Sequence, residues 1–510
     1  MYLTQPLHRL ARQTPDRIAA VDAGRRLTWR ALEARVAAFA GALRSRGLEP
    51  GDRVAMLARN GTDFLVYILG TFWAGGVINP VNLRWTGGEI GYSLENCQTR
   101  FLIHDPEFAG LLPAIRAAAP GLVHVVETGA ALDGWIDAAD PVEDALRRGD
   151  DLAAILYTGG TTGFPKGVML SHTNLASSAF GSIAARQGPA GTRYLHTAPL
   201  FHIGALSGLF VTLLSDVENH FLPAFDPLAV LESIARERIV ELFLVPTMIR
   251  MVIDHPRFAE FDTTSVRGIR YGASSIDGAL LDRAMEAFPN AGFIQAYGMT
   301  ELSPTATVLG TADHGAEARA NGRLRSAGRA TMVTEVRIVG PDDTELPRGQ
   351  VGEIVARGPT VMLGYWQMPE ATAEALRGGW MHTGDLGVMD ADGYVTVVDR
   401  LKDMIITGGE NVYSAEVESA LATHPAVANV AVVAVPDAKW GERVHAVIVP
   451  RPGETPCPDV LTAHCRASLA GFKIPRSFAF VDALPLSAAG KILKNVLRDA
   501  ARETNTGDTP

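Results

Sequence analysis

Apolar positions at helical spacing open the chain. Leu32, Val36, Phe39 and Leu43 recur three or four residues apart, with Thr28 placed to cap the start and Gly47 just past the end. The pattern then predicts a strand over 53–58, a helix over 62–74 and a buried strand over 76–80, a βαβ unit that favours a parallel sheet covered by helices. Similar alternation continues to about residue 310. The uncharged run 64–83 has the length of a membrane span, but Gly70, Gly75, Gly76, Asn79, Pro80 and Asn82 interrupt it. A buried helix followed by a buried strand explains it better.

Near residue 325 the pattern changes. Segments 333–339, 351–356 and 394–398 read as short strands between turn clusters such as Gly340-Pro341-Asp342-Asp343. They predict a more antiparallel, barrel-like subdomain over about 325–400. After Arg400 comes a stretch long enough to fold alone, with a helix from Ser414, strands at 427–435 and 444–449, a helix at 459–469 and a strand near Phe478. The polar tail from Arg502 is expected to be disordered. The fold class is therefore α/β. A large domain of helix-covered sheets with the barrel-like subdomain spans 1–401, and a small α+β lid spans 402–510.

Composition narrows the function classes. Hydrophobic residues make up 47 % and charged residues 20 % of 510, and the formal net charge is −10. A chain this acidic is a poor match for nucleic acid or an anionic membrane surface, both of which need a basic footprint. Cys97, Cys457 and Cys465 form no metal-binding spacing, and so sparse a set fits a reducing compartment without disulfides. The N-terminus lacks an apolar core of signal-peptide length, so a cytoplasmic protein is expected. The partners expected are small molecules. No integral membrane segment is expected, and a homodimer is left open.

The richest chemistry lies in segment 157–167, YTGGTTGFPKG. Gly159, Gly160, Gly163 and Gly167 let a backbone turn tightly and approach a ligand. Thr158, Thr161 and Thr162 offer hydroxyl donors, and Lys166 adds a mobile cation. Together they suit a polyphosphate cradle. This is not the P-loop of nucleotide triphosphatases, because Lys166 stands between Pro165 and Gly167 and a strand follows. Two strands joined by a glycine–threonine hairpin are expected instead.

With this segment the chain resembles the acyl-adenylate-forming superfamily, which includes acyl-CoA synthetases, firefly luciferases and peptide-synthetase adenylation domains. The resemblance runs over about residues 10–498. The family more often has serine where this chain has Gly159, so one hydroxyl is missing and backbone amides must serve there.

The remaining motifs take their roles from the resemblance. Segment 199–204 is similar to the family's acyl-pocket stretch, which makes His202 a gate between adenylate and acyl tunnel; alone it would read as a core histidine. Gly272, Ala273 and Ser274, in a loop of small residues, would border adenine, although spacing alone fits a plain turn equally well. In 295–301, Gln295, Ala296, Tyr297 and Gly298 would line the nucleotide, with Tyr297 stacking on adenine. Thr300 would bond a phosphate, and Glu301 would hold Mg²⁺, a cation that prefers oxygen ligands. Asp385, in the Thr383-Gly384-Asp385 turn, would accept both ribose hydroxyls with help from Arg400. Lys402 matches the hinge between domains. Gly408 and Gly409 would line the pantetheine tunnel, and Trp440, Phe472 and Arg84 would meet the nucleotide end of coenzyme A. Lys491, in Pro-Leu-Ser-Ala-Ala-Gly-Lys-Ile, matches the C-terminal catalytic lysine, whereas most lysines are simply solvated. The catalytic set implied is Lys491, Lys166, Thr162, Glu301 and His202.

The resemblance implies an acid–thiol ligase using ATP, Mg²⁺ and coenzyme A. Gly204, Gly208, Val245, Ala273 and Gly298 would form a small-sided apolar acyl pocket, suited to a medium or long fatty acid or a bulky aryl or alicyclic acid. Two other acceptors stay open: a carrier protein, although the insertion usual in free-standing acyl-AMP ligases is not evident, and oxygen, as in luciferases. No carrier domain is expected after Lys491. A non-catalytic adenylate sensor is the remote alternative, opposed by the joint presence of Lys166, Glu301, Asp385, Arg400 and Lys491.

Overall fold

The computed structural model describes residues 2–22, 24–158, 165–185, 192–486 and 492–506, with side chains as far as 502. The chain divides into two compact units. The first comprises Met1–Val336, Ala356–Met381 and Gly393–Val395; the second comprises Arg337–Val355, His382–Asp392 and Thr396–Pro510.

Helix Trp29–Ser45 starts where expected, its Thr28 side chain accepting a bond from the Ala31 amide. The uncharged run folds as helix Thr62–Ala74, buried on nearly every face, followed by the buried strand Val77–Pro80. The two helices pack closely because residue 70 is glycine: a Cβ there would stand 2.4 Å from the Phe39 ring. Among the described residues, no helix is long and apolar enough to cross a membrane.

Two sheets organise the first unit. Strand Arg53–Leu57 pairs in parallel with Val77–Pro80 and Phe101–His104, as the βαβ reading requires, and Val77–Pro80 continues in parallel to Leu152–Thr158. Lys166–Ser171 and then Gly364–Tyr365 extend that seven-stranded sheet in antiparallel fashion. The second sheet has nine strands, with Glu241–Leu244, Gly268–Gly272 and Gly292–Tyr297 side by side and parallel. Parallel strands buried under helices on both faces carry continuous apolar runs.

Four strands, Glu335–Val339, Val351–Arg357, Met381–Met389 and Val395–Arg400, form a third sheet in that order, most of it within the second unit. Of these, Met381–Met389 escaped the sequence reading, because its central residues His382, Thr383, Gly384 and Asp385 break any apolar alternation.

The rest of the second unit is built on strands Val427–Asp437 and Gly441–Pro450. Val430 and Val432 face one apolar core with Val417, Leu421 and Leu461, while Ala431, Val433 and Val435 face another with Leu484 and Leu497. Period-two alternation of uniformly apolar residues thus fills both faces of one strand. The disordered tail expected from Arg502 is corrected: helix Lys494–Thr506 runs through that point. It is held by Leu497 and Ala501 against the second core, and Lys494 Nζ donates to Ser414 Oγ at 2.6 Å.

Candidate active site

The two strands flanking the glycine–threonine segment pair as expected. Strands Leu152–Thr158 and Lys166–Ser171 run antiparallel with Thr158 opposite Lys166 and Tyr157 opposite Gly167. The positions proposed for the turn itself, Gly159, Gly160, Thr161, Thr162 and Gly163, lie outside the described residues. Gly167 requires a correction. It is a packing glycine, whose Cβ would stand 2.9 Å from Ile155 Cγ2 and 3.1 Å from Tyr157 Cζ, and not a turn residue. Two bonds converge on Asn96 beside the hairpin: Tyr157 OH donates to its Oδ1 at 2.6 Å, and Trp366 Nε1 donates to its carbonyl at 2.9 Å.

Segment 295–301 leaves its strand at Tyr297. Gly298, at φ +155°, passes so close to Pro304 that a Cβ would stand 1.9 Å from its carbonyl oxygen. The short 3₁₀ turn Thr300–Leu302 follows and buries Glu301. Tyr365 OH donates to Glu301 Oε1 at 2.9 Å, and Lys166 Nζ lies 5.0 Å from the centroid of the same ring. Burial and the adjacent carboxylate push the Tyr365 hydroxyl far above its ordinary range, so it stays a donor. The sequence reading missed Tyr365, which lies 64 residues from Glu301 along the chain. One carboxylate suits a Mg²⁺ whose other ligands are phosphate oxygens and water, so Glu301 fits that ion.

In the loop expected to border adenine, Gly272 pairs with Ala296 and Tyr271 with Gln295. A Cβ on Gly272 would lie 2.4 Å from the Ala296 carbonyl oxygen, so its smallness first serves strand contact. Ala273, at φ +66°, turns the chain outward, and Ala273, Ser274 and Gly298 are exposed. Gln295, Ala296, Tyr297 and Thr300 are half-buried, with Tyr297 packed partly against the main core. Tyr271 anchors the loop from below through His314. Because the Gly310 carbonyl can only accept from His314 Nδ1 at 2.8 Å, Nε2 accepts from Tyr271 OH at 2.9 Å. Burial lowers the His314 pKa and keeps the ring neutral, as this pattern demands.

His202 stands at the N-cap position of helix Ile203–Leu214 without a side-chain cap bond, its ring centroid 4.3 Å from that of Phe201. A Cβ on Gly208 would stand 3.1 Å from Tyr194 OH, and one on Gly204 would stand 3.8 Å from Phe243. Two aromatic side chains thus adjoin the glycines of a pocket read as small-sided. Neither was found from sequence, because each sits on a separate strand. Val245 immediately precedes helix Pro246–Ile253, which follows one of these strands.

The second unit brings together two predicted groups of its own. Arg400 Nε stands 3.3 Å from Asp385 Oδ1. The turn beneath is fixed by Gly384 at φ +68°, by its amide donating to Glu353 Oε1 at 3.0 Å, and by Thr383 Oγ1 donating to the Ile354 carbonyl at 2.7 Å. Gly408 and Gly409, both with positive φ, join strands Ile405–Thr407 and Glu410–Val412. Trp440 lies on Gly408, where a Cβ would come within 2.8 Å of its ring, and the Gly408 amide donates to the Trp440 carbonyl at 2.7 Å. Arg476 lies 4.7 Å and Lys439 4.8 Å from the Trp440 ring centroid. Phe472 is partly buried against this unit's core, and Arg84, in the first unit, is exposed. Lys402 sits in the 3₁₀ turn Leu401–Asp403, where burial lowers its pKa. Lys491 lies outside the described residues.

Comparison with known proteins identifies the family. The AMP-binding enzyme family matches residues 7–366, and the AMP-binding enzyme C-terminal domain matches 416–491. The chain is 42 % identical over 492 residues to a feruloyl-CoA synthase of Amycolatopsis sp, covering 96 % of this chain and 97 % of that one. It is 36 % identical to the fatty acid–[acyl-carrier-protein] ligase ScoC of Streptomyces coeruleorubidus, covering 97 % and 96 %. The crystal structure of ATP-bound MatB from Rhodopseudomonas palustris superposes with a TM-score of 0.90 at 34 % identity, covering 99 % of this chain and all of that one. This helix-covered α/β chain, matched along nearly its whole length, belongs to the AMP-binding enzyme family, the AMP-forming acyl-CoA synthetases and ligases.

Proposed function

We propose that the chain is an ATP-dependent carboxylic acid:CoA ligase. In the first step a carboxylate oxygen attacks the α-phosphorus of ATP, the bond to the bridging oxygen breaks, and pyrophosphate leaves. In the second step the coenzyme A sulfur attacks the acyl carbon, its proton departs, and AMP leaves with the former carboxylate oxygen. The observation that carries this reading is the gathering of Lys166 and Glu301 around Tyr365 at the end of the phosphate hairpin.

A carboxylate resists nucleophiles because its charge is spread over the carbon to be attacked. Acyl-AMP formation removes that charge and installs a leaving group. In this reading Lys166, Thr162 and Thr300 neutralise charge building on phosphate oxygens, and Lys491 bridges the carboxylate and the α-phosphate. Glu301 would hold Mg²⁺, which supplies further neutralisation. Catalysis of this kind is positional and electrostatic, without a general base acting on the acid. Asp385 and Arg400 fit ribose recognition, and Gly408, Gly409 and Trp440 fit coenzyme A. Lys402 serves as the hinge between a large domain over 1–401 and a small one over 402–510.

For the acid we favour a bulky aryl substrate, with a medium or long fatty acid next. The relative named feruloyl-CoA synthase supports the aryl choice, as do Tyr194 and Phe243 beside Gly208 and Gly204. A single methylene in an apolar pocket is worth about 1–3 kcal/mol, so tolerance within the class is expected. The relative named as an acyl-carrier-protein ligase keeps a carrier as the second possible acceptor.

The test is AMP release from ATP and Mg²⁺ with ferulate, cinnamate, decanoate, hexadecanoate, acetate and malonate, each with and without coenzyme A. Coenzyme A-dependent turnover of the aryl acids is expected, with acetate poor. Selective use of acetate or malonate overturns the substrate assignment. AMP release without any thioester product overturns the ligase assignment.

A further inference from the structure

We infer that Tyr365 is a positioning residue that sets Glu301 and Lys166 as one unit for the metal-bound triphosphate. This rests on the proposed use of ATP. Three features converge on this side chain. Its hydroxyl donates to Glu301 Oε1 at 2.9 Å, which orients the carboxylate. Its ring face lies 5.0 Å from Lys166 Nζ, within cation–π range. Its backbone belongs to a short strand that ties both partners together. The Met362 amide donates to the Glu301 carbonyl at 2.9 Å, Leu363 to Met169 at 2.9 Å, and Trp366 to Gly167 at 2.7 Å.

That strand is itself held in place. The Tyr365 amide donates to Thr372 Oγ1 at 2.9 Å, and Gly364, at φ +142°, lies so close to Thr372 that a Cβ would stand 2.7 Å from its methyl. Trp366 Nε1 fastens the far end to the Asn96 carbonyl. The segment is thus a brace between the phosphate hairpin and the Glu301 turn, with one side chain bonded to Glu301 through its hydroxyl and within cation–π range of Lys166 through its ring.

The two contacts have separable consequences. The hydroxyl acts on Glu301 and therefore on metal-dependent binding. The ring acts on Lys166 and therefore on phosphate charge, with or without metal. Groups that orient a metal-binding side chain typically contribute about 10–100-fold in metal affinity or activity.

ATP binding to the full chain is to be measured by titration calorimetry, once with Mg²⁺ and once with EDTA, for wild type, Y365F and Y365L. Y365F should bind Mg²⁺-ATP about 10-fold more weakly and bind ATP in EDTA as wild type does. Y365L should weaken both. In an E301Q background, Y365F should cause no further loss. Thermal melts and near-ultraviolet circular dichroism identify a misfolded variant, and Y365F, which keeps the ring, is the variant on which the inference is judged. Wild-type affinity of Y365F for Mg²⁺-ATP, an equal loss in Mg²⁺ and EDTA, or an additive loss with E301Q overturns the inference. Failure of wild type to bind ATP under either condition overturns the proposed function itself, and the inference with it.

Discussion

At the scale of single residues, glycines decide how closely backbones approach around the loop proposed to border the nucleotide. Gly272 makes the point most sharply, because the group it would strike is a carbonyl of the neighbouring strand, which cannot rotate away. Gly272→Ala must either part strands Gly268–Gly272 and Gly292–Tyr297 or shift the loop at Ala273. We expect a loss of about 1–3 kcal/mol, the usual cost of overpacking, together with a raised KM for ATP. Gly278→Ala is the control. It opens helix Gly278–Ala287, where an added Cβ meets nothing within 4 Å, and alanine there should be neutral or stabilising by about 0.4–1 kcal/mol. Urea midpoints for both variants, with ATP kinetics, check the pair. Equal stability of Gly272→Ala and wild type would contradict the contact.

At the scale of elements, the sequence was most legible where one physical period dominated. The spacing of Leu32, Val36, Phe39 and Leu43, with Thr28 before them, identified helix Trp29–Ser45 together with its cap. The hairpin read from Tyr157 and Lys166 is present with those strands paired. Helix Lys494–Thr506 was illegible because charged and polar residues outnumber the few, Leu497 and Ala501 among them, that touch the core. Tyr365 was illegible for a different reason: no local pattern marks a side chain whose partners, Glu301 and Lys166, come from distant turns.

Helix Gln5–Gln13 carries a prediction at this scale. His8 Nε2 meets Asp144 Oδ2 at 2.8 Å and its Nδ1 meets Glu33 Oε1 at 3.2 Å, so both ring nitrogens face carboxylates that can only accept. The bond to Asp144 leads in raising the His8 pKa, against some burial cost. A pKa raised on folding stabilises fully below the unfolded value of about 6.5, and the contribution is lost as pH rises through the folded value. His8→Ala should therefore destabilise more at pH 6 than at pH 9, by the part of the His8–carboxylate interaction that requires the charged ring. Melting temperatures of both proteins at the two pH values check this. The packing of the ring on Trp73, at 4.5 Å, is lost at either pH and cancels in the comparison. A pH-independent difference would contradict a His8 whose charge is favoured by folding.

At the scale of the whole molecule, the residues assigned to the reaction are shared between two compact units. Lys166, Glu301 and Tyr365 belong to the first, whereas Asp385, Arg400, Gly408 and Trp440 belong to the second. Arg498, on the last helix, donates to the Lys402 carbonyl at 3.0 Å and to Asp403 Oδ1 at 3.1 Å, so the residue proposed as hinge is held by its own unit. The two chemical steps make opposite demands on one position. A lysine that bridges the carboxylate and the α-phosphate assists the first step, yet the thiol of the second must reach the same acyl carbon. Separating these demands in time requires the lysine to act in adenylation alone. Lys491→Ala should therefore slow acid-dependent exchange of pyrophosphate into ATP by about 10²–10³-fold or more, the cost of losing one strong charge-stabilising donor. Thioester formation from synthetic acyl-AMP and coenzyme A should stay close to the wild-type rate. Measuring both half-reactions on the same preparation distinguishes a step-specific lysine from a structural one, because a misfolded variant loses both together. Equal loss in the two would remove the case for a lysine that works in one step and withdraws for the other.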